Sequence, residues 1–172
     1  QDGRTVHSTL WCPDGEASPM FAKRLPGYDG RWPVDQWLDM RWDPPCLLRL
    51  DTGITPAGRP REEGGQSFTA HIVTPETETS THYFFAHSRN FRVADEDMDR
   101  AIAHWQQVGF GEQDKPMLEA VQQAMGTADL MSLKPILLPI DTAAVRARRV
   151  VRQWREDEAG GGAPAAVRAG GA

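Results

Sequence analysis

Gln66-Ser67-Phe68-Thr69-Ala70-His71-Ile72-Val73 and, after Thr74-Pro75-Glu76-Thr77-Glu78-Thr79, the run from Ser80-Thr81-His82-Tyr83-Phe84-Phe85 to Phe91 are rich in β-branched and aromatic residues. Such side chains fit a pleated, half-buried surface. The two runs predict a β-hairpin whose loop, at Pro75-Glu76, is longer than a tight turn. Beyond Phe91 the apolar spacing changes from the period of a strand to that of a helix. Strands first and helices after predict an α+β fold, an antiparallel sheet packed against helices.

On the N-terminal side of this hairpin, Thr5 to Cys12 reads as a strand closed by Pro13-Asp14-Gly15, and Met20 to Leu25 as a short helix ahead of Pro26-Gly27. Val34 to Arg41 has mixed character, Cys46 to Thr52 reads as a strand, and Pro56 to Gly65 as a polar connection. On its C-terminal side, Asp95-Glu96-Asp97 places acid where it caps free amides and meets the positive end of a helix dipole. That helix is expected to run through Trp105 to about Val108, to break at Gly109-Phe110-Gly111, and to be succeeded by another from near Asp114 to Met125. Leu133 to Ile140 is a short apolar run. In the last helix Ile140, Ala144, Ala147, Val151 and Trp154 share one face, opposite a solvated face with Arg148, Arg149, Arg152 and Arg155. Residues 158–172 are rich in Gly and Ala, have little to bury, and are expected to be disordered.

A length of 172 residues, 40% of them hydrophobic, with six tryptophans, predicts a globular domain with a real core. The net charge of -5 comes without a basic stripe, so nucleic acid is not an expected partner. No apolar run approaches the ~20 residues of a membrane span, and the expectation is a soluble, cytoplasmic protein. Cys12 and Cys46 form no CxxC pair, and no Cys-x-His pair is present to hold an iron–sulfur cluster.

Asp114 is the first candidate for chemistry. Met117, Leu118 and Val121 lie three, four and seven residues after it, so on a helix the carboxylate shares an apolar stripe. Either it caps the helix beginning near Pro116, or a metal ion supplies the partner its charge needs. His82 and His87 form a His-x4-His pair, but residues five apart on a strand point to opposite faces, which predicts one buried and one exposed histidine rather than a chelating pair. His71 and Trp105 are by default core residues. Trp105 and Asp114 are nine residues apart, about 900° of α-helix, half a turn out of phase. One straight helix cannot point both inward, and Gly109 and Gly111 are expected to reorient the chain.

The stretch from Thr74 to Phe85, with Glu112-Gln113-Asp114-Lys115 some thirty residues on, resembles the oxygenase component of Rieske non-haem iron monooxygenases, the vanillate O-demethylase and dicamba demethylase group, from about Arg41 to about Trp154. The resemblance implies a helix-grip, START-like fold with a curved sheet and C-terminal helices. Residues 1–157 would be the C-terminal portion of a catalytic domain whose N-terminal part is missing, and the chain, opening with Gln1, reads as a fragment inactive by itself. Asp114 would be the carboxylate ligand of a mononuclear Fe(II), with two histidine ligands and a Rieske [2Fe-2S] cluster on the missing side. His71 would contact a substrate carboxylate and Trp105 would line the pocket. Leu50 stands where the dicamba branch has an asparagine, and Trp42-Asp43-Pro44-Pro45-Cys46 looks closer to the vanillate branch.

The implied reaction is O-demethylation of an aromatic acid such as a methoxybenzoate to a phenol and formaldehyde, with O2 and electrons from NADH through a reductase or ferredoxin component, in a homotrimer. The alternatives are a ring-hydroxylating or sulfonate- or methyl-oxidising Rieske oxygenase, which fold cannot separate, and a metal-free binding module for an apolar ligand.

Overall fold

The computed structural model describes residues 4–161. Five strands, β1 (Val6–Gly15), β2 (Val34–Asp43), β3 (Leu47–Pro56), β4 (Gly65–Pro75) and β5 (Thr81–Arg89), form one antiparallel meander in the order β1-β2-β3-β4-β5. The expected hairpin is β4-β5, closed where Pro75 faces Thr81. Leu48 faces His71 and Leu50 faces Thr69 across β3-β4, while Phe85 faces His71 and His87 faces Thr69 across β4-β5. Side chains alternate along a strand, so Leu48, Leu50, Thr69, His71, Phe85 and His87 share one sheet face, joined by Tyr83.

The opposite face explains why the mixed segment beginning at Val34 is a full ten-residue strand. Trp37 lies flat on Gly53, its cross-strand partner, so closely that a Cβ at Gly53 would come within 2.0 Å of the indole. The indole N–H donates to Asp51 at 2.9 Å, and Asp51 also accepts from Gln66 at 2.9 Å. Arg61 stacks over Trp37 and Trp11, 4.7 and 5.0 Å from their ring centroids, and pairs with Asp39 at 2.7 Å. Asp35 accepts from the backbone N–H groups of Asp14 and Gly58. Asp35, the Trp37 indole N–H and one carboxylate oxygen of Asp39 thus find their partners on other elements, which a local reading of the sequence cannot see.

The buried core is centred on Leu25, Val34 and Ile54, with Ala17, Phe21, Tyr28 and Trp32 packed around it. The short helix is only α1 (Pro19–Ala22), because Arg24 and Leu25 leave it to be buried against the sheet. The Arg24 guanidinium donates to Thr52 O at 3.1 Å and Thr52 Oγ1 at 2.9 Å, and lies 4.0 Å from the centroid of Phe21. Burial lowers its pKa to about 10.

α2 (Glu96–Gln106) starts where the acidic run predicts, with the Asp95 side chain accepting from the Met98 N–H. It passes into a π-helical segment (Gln107–Asp114) and then α3 (Lys115–Met125), which stops at Gly126 in the left-handed region, φ 61°. The expected apolar run after Leu133 is irregular and exposed, Ile136 to 90%. α4 (Thr142–Ala159) packs on β1. Its half-buried positions are Ala143, Val145, Ala147, Val150 and Trp154, with the Arg4 guanidinium over the Trp154 ring. Ala147 and Trp154 are covered as expected, whereas Ile140, Ala144 and Val151 are exposed, so the expected face is covered only in part. The helix also continues past residue 157; residues 162–172 of the tail lie outside the described residues. Among the described residues no helix is long and apolar enough to cross a membrane.

Gly53→Ala is expected to destabilise the chain by about 1–3 kcal/mol, the range of overpacking in a filled site. Urea denaturation monitored by tryptophan fluorescence measures it, and an unchanged midpoint would mean that the indole does not rest on Gly53.

Candidate active site

The helix that follows β5 does not break at its glycines. Gln106, Gln107, Asp114 and Lys115 are all right-handed helical, neither Gly109 nor Gly111 has positive φ, and the Lys115 N–H donates to Phe110 O, five residues back. This corrects the expected break. A π-helix closes i to i+5 hydrogen bonds, so each residue turns through less than the 100° of an α-helix. Underwinding the segment changes the phase of α3 relative to α2 without interrupting the helix.

Phe110 consequently lies over the β4-β5 face, its ring centroid 5.9 Å from His71, 5.6 Å from Tyr83 and 4.9 Å from Phe85, edge to face with each. Asp114, four residues on, is close enough for its charge to act on Tyr83, whose pKa is raised first by burial and then by that carboxylate. Trp105 is placed differently. It is 39% exposed, with the Lys23 ammonium 5.4 Å from its ring, and it is not among the rings grouped on His71. The structure therefore joins His71 to Asp114 through Tyr83 and leaves Trp105 to one side.

His71 is buried. Its Nδ1 is 2.5 Å from the Tyr83 hydroxyl, the two rings lie within 13° of parallel, and Nε2 is buried with no partner among the described residues. Burial lowers its pKa, which favours the neutral imidazole over the imidazolium at neutral pH. Leu48 is its cross-strand neighbour and Leu50 lies diagonally beside it. Tyr83, Phe85 and Phe110 contribute to the site without having been singled out by the sequence pattern. The alternation of β5 opposite His71 carries the signal for the first two, whereas Phe110, between two glycines, looks like part of a break.

His82 and His87 do lie on opposite sheet faces. His82 is exposed and 3.5 Å from Glu76, whereas His87, half-buried, hydrogen-bonds Thr69 at 2.9 Å. His87 Nε2 is buried without a partner among the described residues, and burial, then the charges of Arg24 and Arg89, lower its pKa.

Asp114 makes no capping hydrogen bond, because the chain before it is already helical and supplies the carbonyls that a helix start lacks. The capping alternative therefore does not describe this residue. Its neighbours on the apolar stripe, Met117, Leu118 and Val121, are all exposed. A carboxylate oxygen suits Fe(II) in a two-histidine, one-carboxylate site. Among the described residues, however, no group of three or more His, Cys, Asp or Glu could hold a metal ion. Asp114 fits such a centre as one ligand, not as the centre itself.

The meander sheet and the helices that follow it are shared with solved structures of dicamba monooxygenase. The structure of that enzyme with non-haem iron and dicamba superposes with a TM-score of 0.78 at 34% identity, covering 91% of this chain and 47% of that one. Residues 1–157 match the model of the vanillate O-demethylase oxygenase C-terminal domain, and the chain belongs to that family. It is 35% identical over 154 residues to the dicamba O-demethylase oxygenase component of Stenotrophomonas maltophilia, covering 90% of this chain and 45% of that protein. It is 40% identical over 141 residues to the chloroacetanilide N-alkylformylase oxygenase component of Rhizorhabdus wittichii, covering 82% of this chain and 40% of that protein. The chain thus spans less than half the length of these curated relatives.

Because one carboxylate is not a three-ligand site, this chain loaded with Fe(II) anaerobically and desalted is expected to keep well under one equivalent of iron. Metal analysis decides the point. Stoichiometric iron that survives desalting would mean that ligands within these 172 residues suffice.

Proposed function

We propose that residues 1–157 are the C-terminal portion of the catalytic domain of a Rieske-type monooxygenase oxygenase component. In this reading the whole protein removes an O-methyl group from an aromatic acid of the methoxybenzoate type, using O2. Electrons pass from NADH through a reductase or ferredoxin component and a [2Fe-2S] Rieske cluster in the part of the protein beyond this chain. The homotrimer and the cytoplasmic location belong to the same proposal. The observation that carries the reading is Asp114, an uncapped helical carboxylate beside the aromatic cluster on His71.

Bound Fe(II) would supply the oxygen-activating chemistry at this place. Asp114 would give it one oxygen ligand, with two histidines from outside this chain. His71 holds and orients the substrate by a hydrogen bond to its carboxylate, stronger than a neutral one because the acceptor is charged. Phe85 and Phe110 pack edge to face beside His71, and Trp105, to one side with Lys23 over one face of its ring, would offer the other face to the aromatic ring. A second reading, an uncharged aromatic substrate such as an anilide, is favoured by Leu48 and Leu50 beside His71 and by the chloroacetanilide-acting relative.

Three substitutions in the whole enzyme test the reading. Asp114→Asn is expected to abolish most product formation while leaving the Rieske absorption intact; normal, coupled turnover would end the ligand assignment. His71→Ala and Trp105→Ala are expected to raise KM more than they lower kcat, since the contact already exists in the ground state. For His71 the rise is about ten- to a hundred-fold, from the ~1.5–3 kcal/mol of a hydrogen bond to a charged group. Wild-type KM and normal coupling in both variants would place the pocket elsewhere.

A further inference from the structure

We propose that Tyr83 is a positioning residue that sets which nitrogen of His71 carries the proton, so that His71 meets its ligand only as a hydrogen-bond donor from Nε2. The inference rests on the reading that His71 lines the substrate pocket, and it narrows the class of substrate that such a pocket accepts.

Tyr83 Oη and His71 Nδ1 are 2.5 Å apart, and the bond between them uses one hydrogen. The phenol O–H is the more acidic donor of the two, and the imidazole lone pair is the more basic acceptor. Tyr83 therefore donates and Nδ1 accepts. Two rings pack against Tyr83, which is otherwise 42% exposed. Phe110 stands edge-on to it at 5.6 Å and Phe85 is tilted against it at 5.9 Å.

With Nδ1 engaged as an acceptor in a neutral ring, the one imidazole proton is on Nε2. That nitrogen is buried and has no partner among the described residues. A buried donor left unpaired is costly, and a ligand that answers it gains the difference. The site accordingly selects an aromatic molecule with an acceptor oxygen in reach of Nε2, a carboxylate, carbonyl or ether. It selects against one that presents only a donor. A charged carboxylate is sufficient but not required, which allows acid and anilide substrates on the same residues.

The test labels the protein with 15N-histidine and reads the His71 ring by long-range 1H–15N spectra at mildly alkaline pH, with His71→Gln to assign the signals. The expected spectrum has a single neutral tautomer, Nδ1 unprotonated and Nε2 protonated. Tyr83→Phe keeps the ring and its packing but removes the hydroxyl, and is expected to give exchange-averaged signals from both tautomers. In the whole oxygenase the same variant is expected to raise KM for acceptor-bearing substrates roughly two- to ten-fold, the share of one neutral hydrogen bond, with kcat within about two-fold. A wild-type His71 protonated at Nδ1 would overturn the proposal. So would a Tyr83→Phe variant whose tautomer and KM both match wild type. These outcomes are separate from the fate of the pocket reading, which falls if His71→Ala leaves KM unchanged whatever the tautomer.

Discussion

The winding of the helix between Gln107 and Asp114 is the constraint on which the candidate site depends. In an α-helix Trp105 and Asp114 would stand half a turn out of phase, and the carboxylate would face away from whatever side Trp105 faces. The chain meets this not with a break but with an underwound segment, whose i to i+5 bonds keep every backbone group paired while the phase shifts. Short π segments inside α-helices recur at functional sites, where a local change of winding re-aims a side chain at modest cost. Here it sets Phe110 on the β4-β5 face and brings the Asp114 carboxylate within electrostatic reach of Tyr83.

The sheet supplies the other half of the arrangement through its register. A slip of one residue between β4 and β5 would send Tyr83 and Phe85 to the far face and put Phe84 or Ala86 opposite His71, removing the hydroxyl from its Nδ1. On the far face, Trp37 on Gly53, Asp51 shared by Trp37 and Gln66, and Arg61 across two indoles tie β1 through β4 together. The candidate site and the structural staples thus occupy opposite sides of the same strands.

Much of this is legible in the sequence where local chemistry decides the outcome. The β4-β5 hairpin comes from its β-branched and aromatic runs, the Asp95 cap from the acidic triplet, and the opposite faces of His82 and His87 from strand alternation. The features that escape depend on distant residues. β2 looks mixed because its polar side chains are satisfied by Arg61, Asp51, Asp14 and Gly58. The glycines at 109 and 111 look like breakers because propensity does not reveal that flanking helices can carry a chain through them. Asp114 looks like a possible cap because its sequence neighbours give no sign that the helix has already begun. The expected face of α4 is covered only at Ala147 and Trp154 because its partner, β1, decides which residues are covered.

If the underwound helix delivers Asp114 to a metal centre beside His71, a crystal structure of the whole protein loaded with Fe(II) under anaerobic conditions will show it most directly. The expected structure has an Asp114 carboxylate oxygen bound to the iron, two histidines from outside this chain completing the site, and π-helical winding retained from Gln107 to Asp114. Iron held by a different carboxylate, with Asp114 turned to solvent, would contradict it.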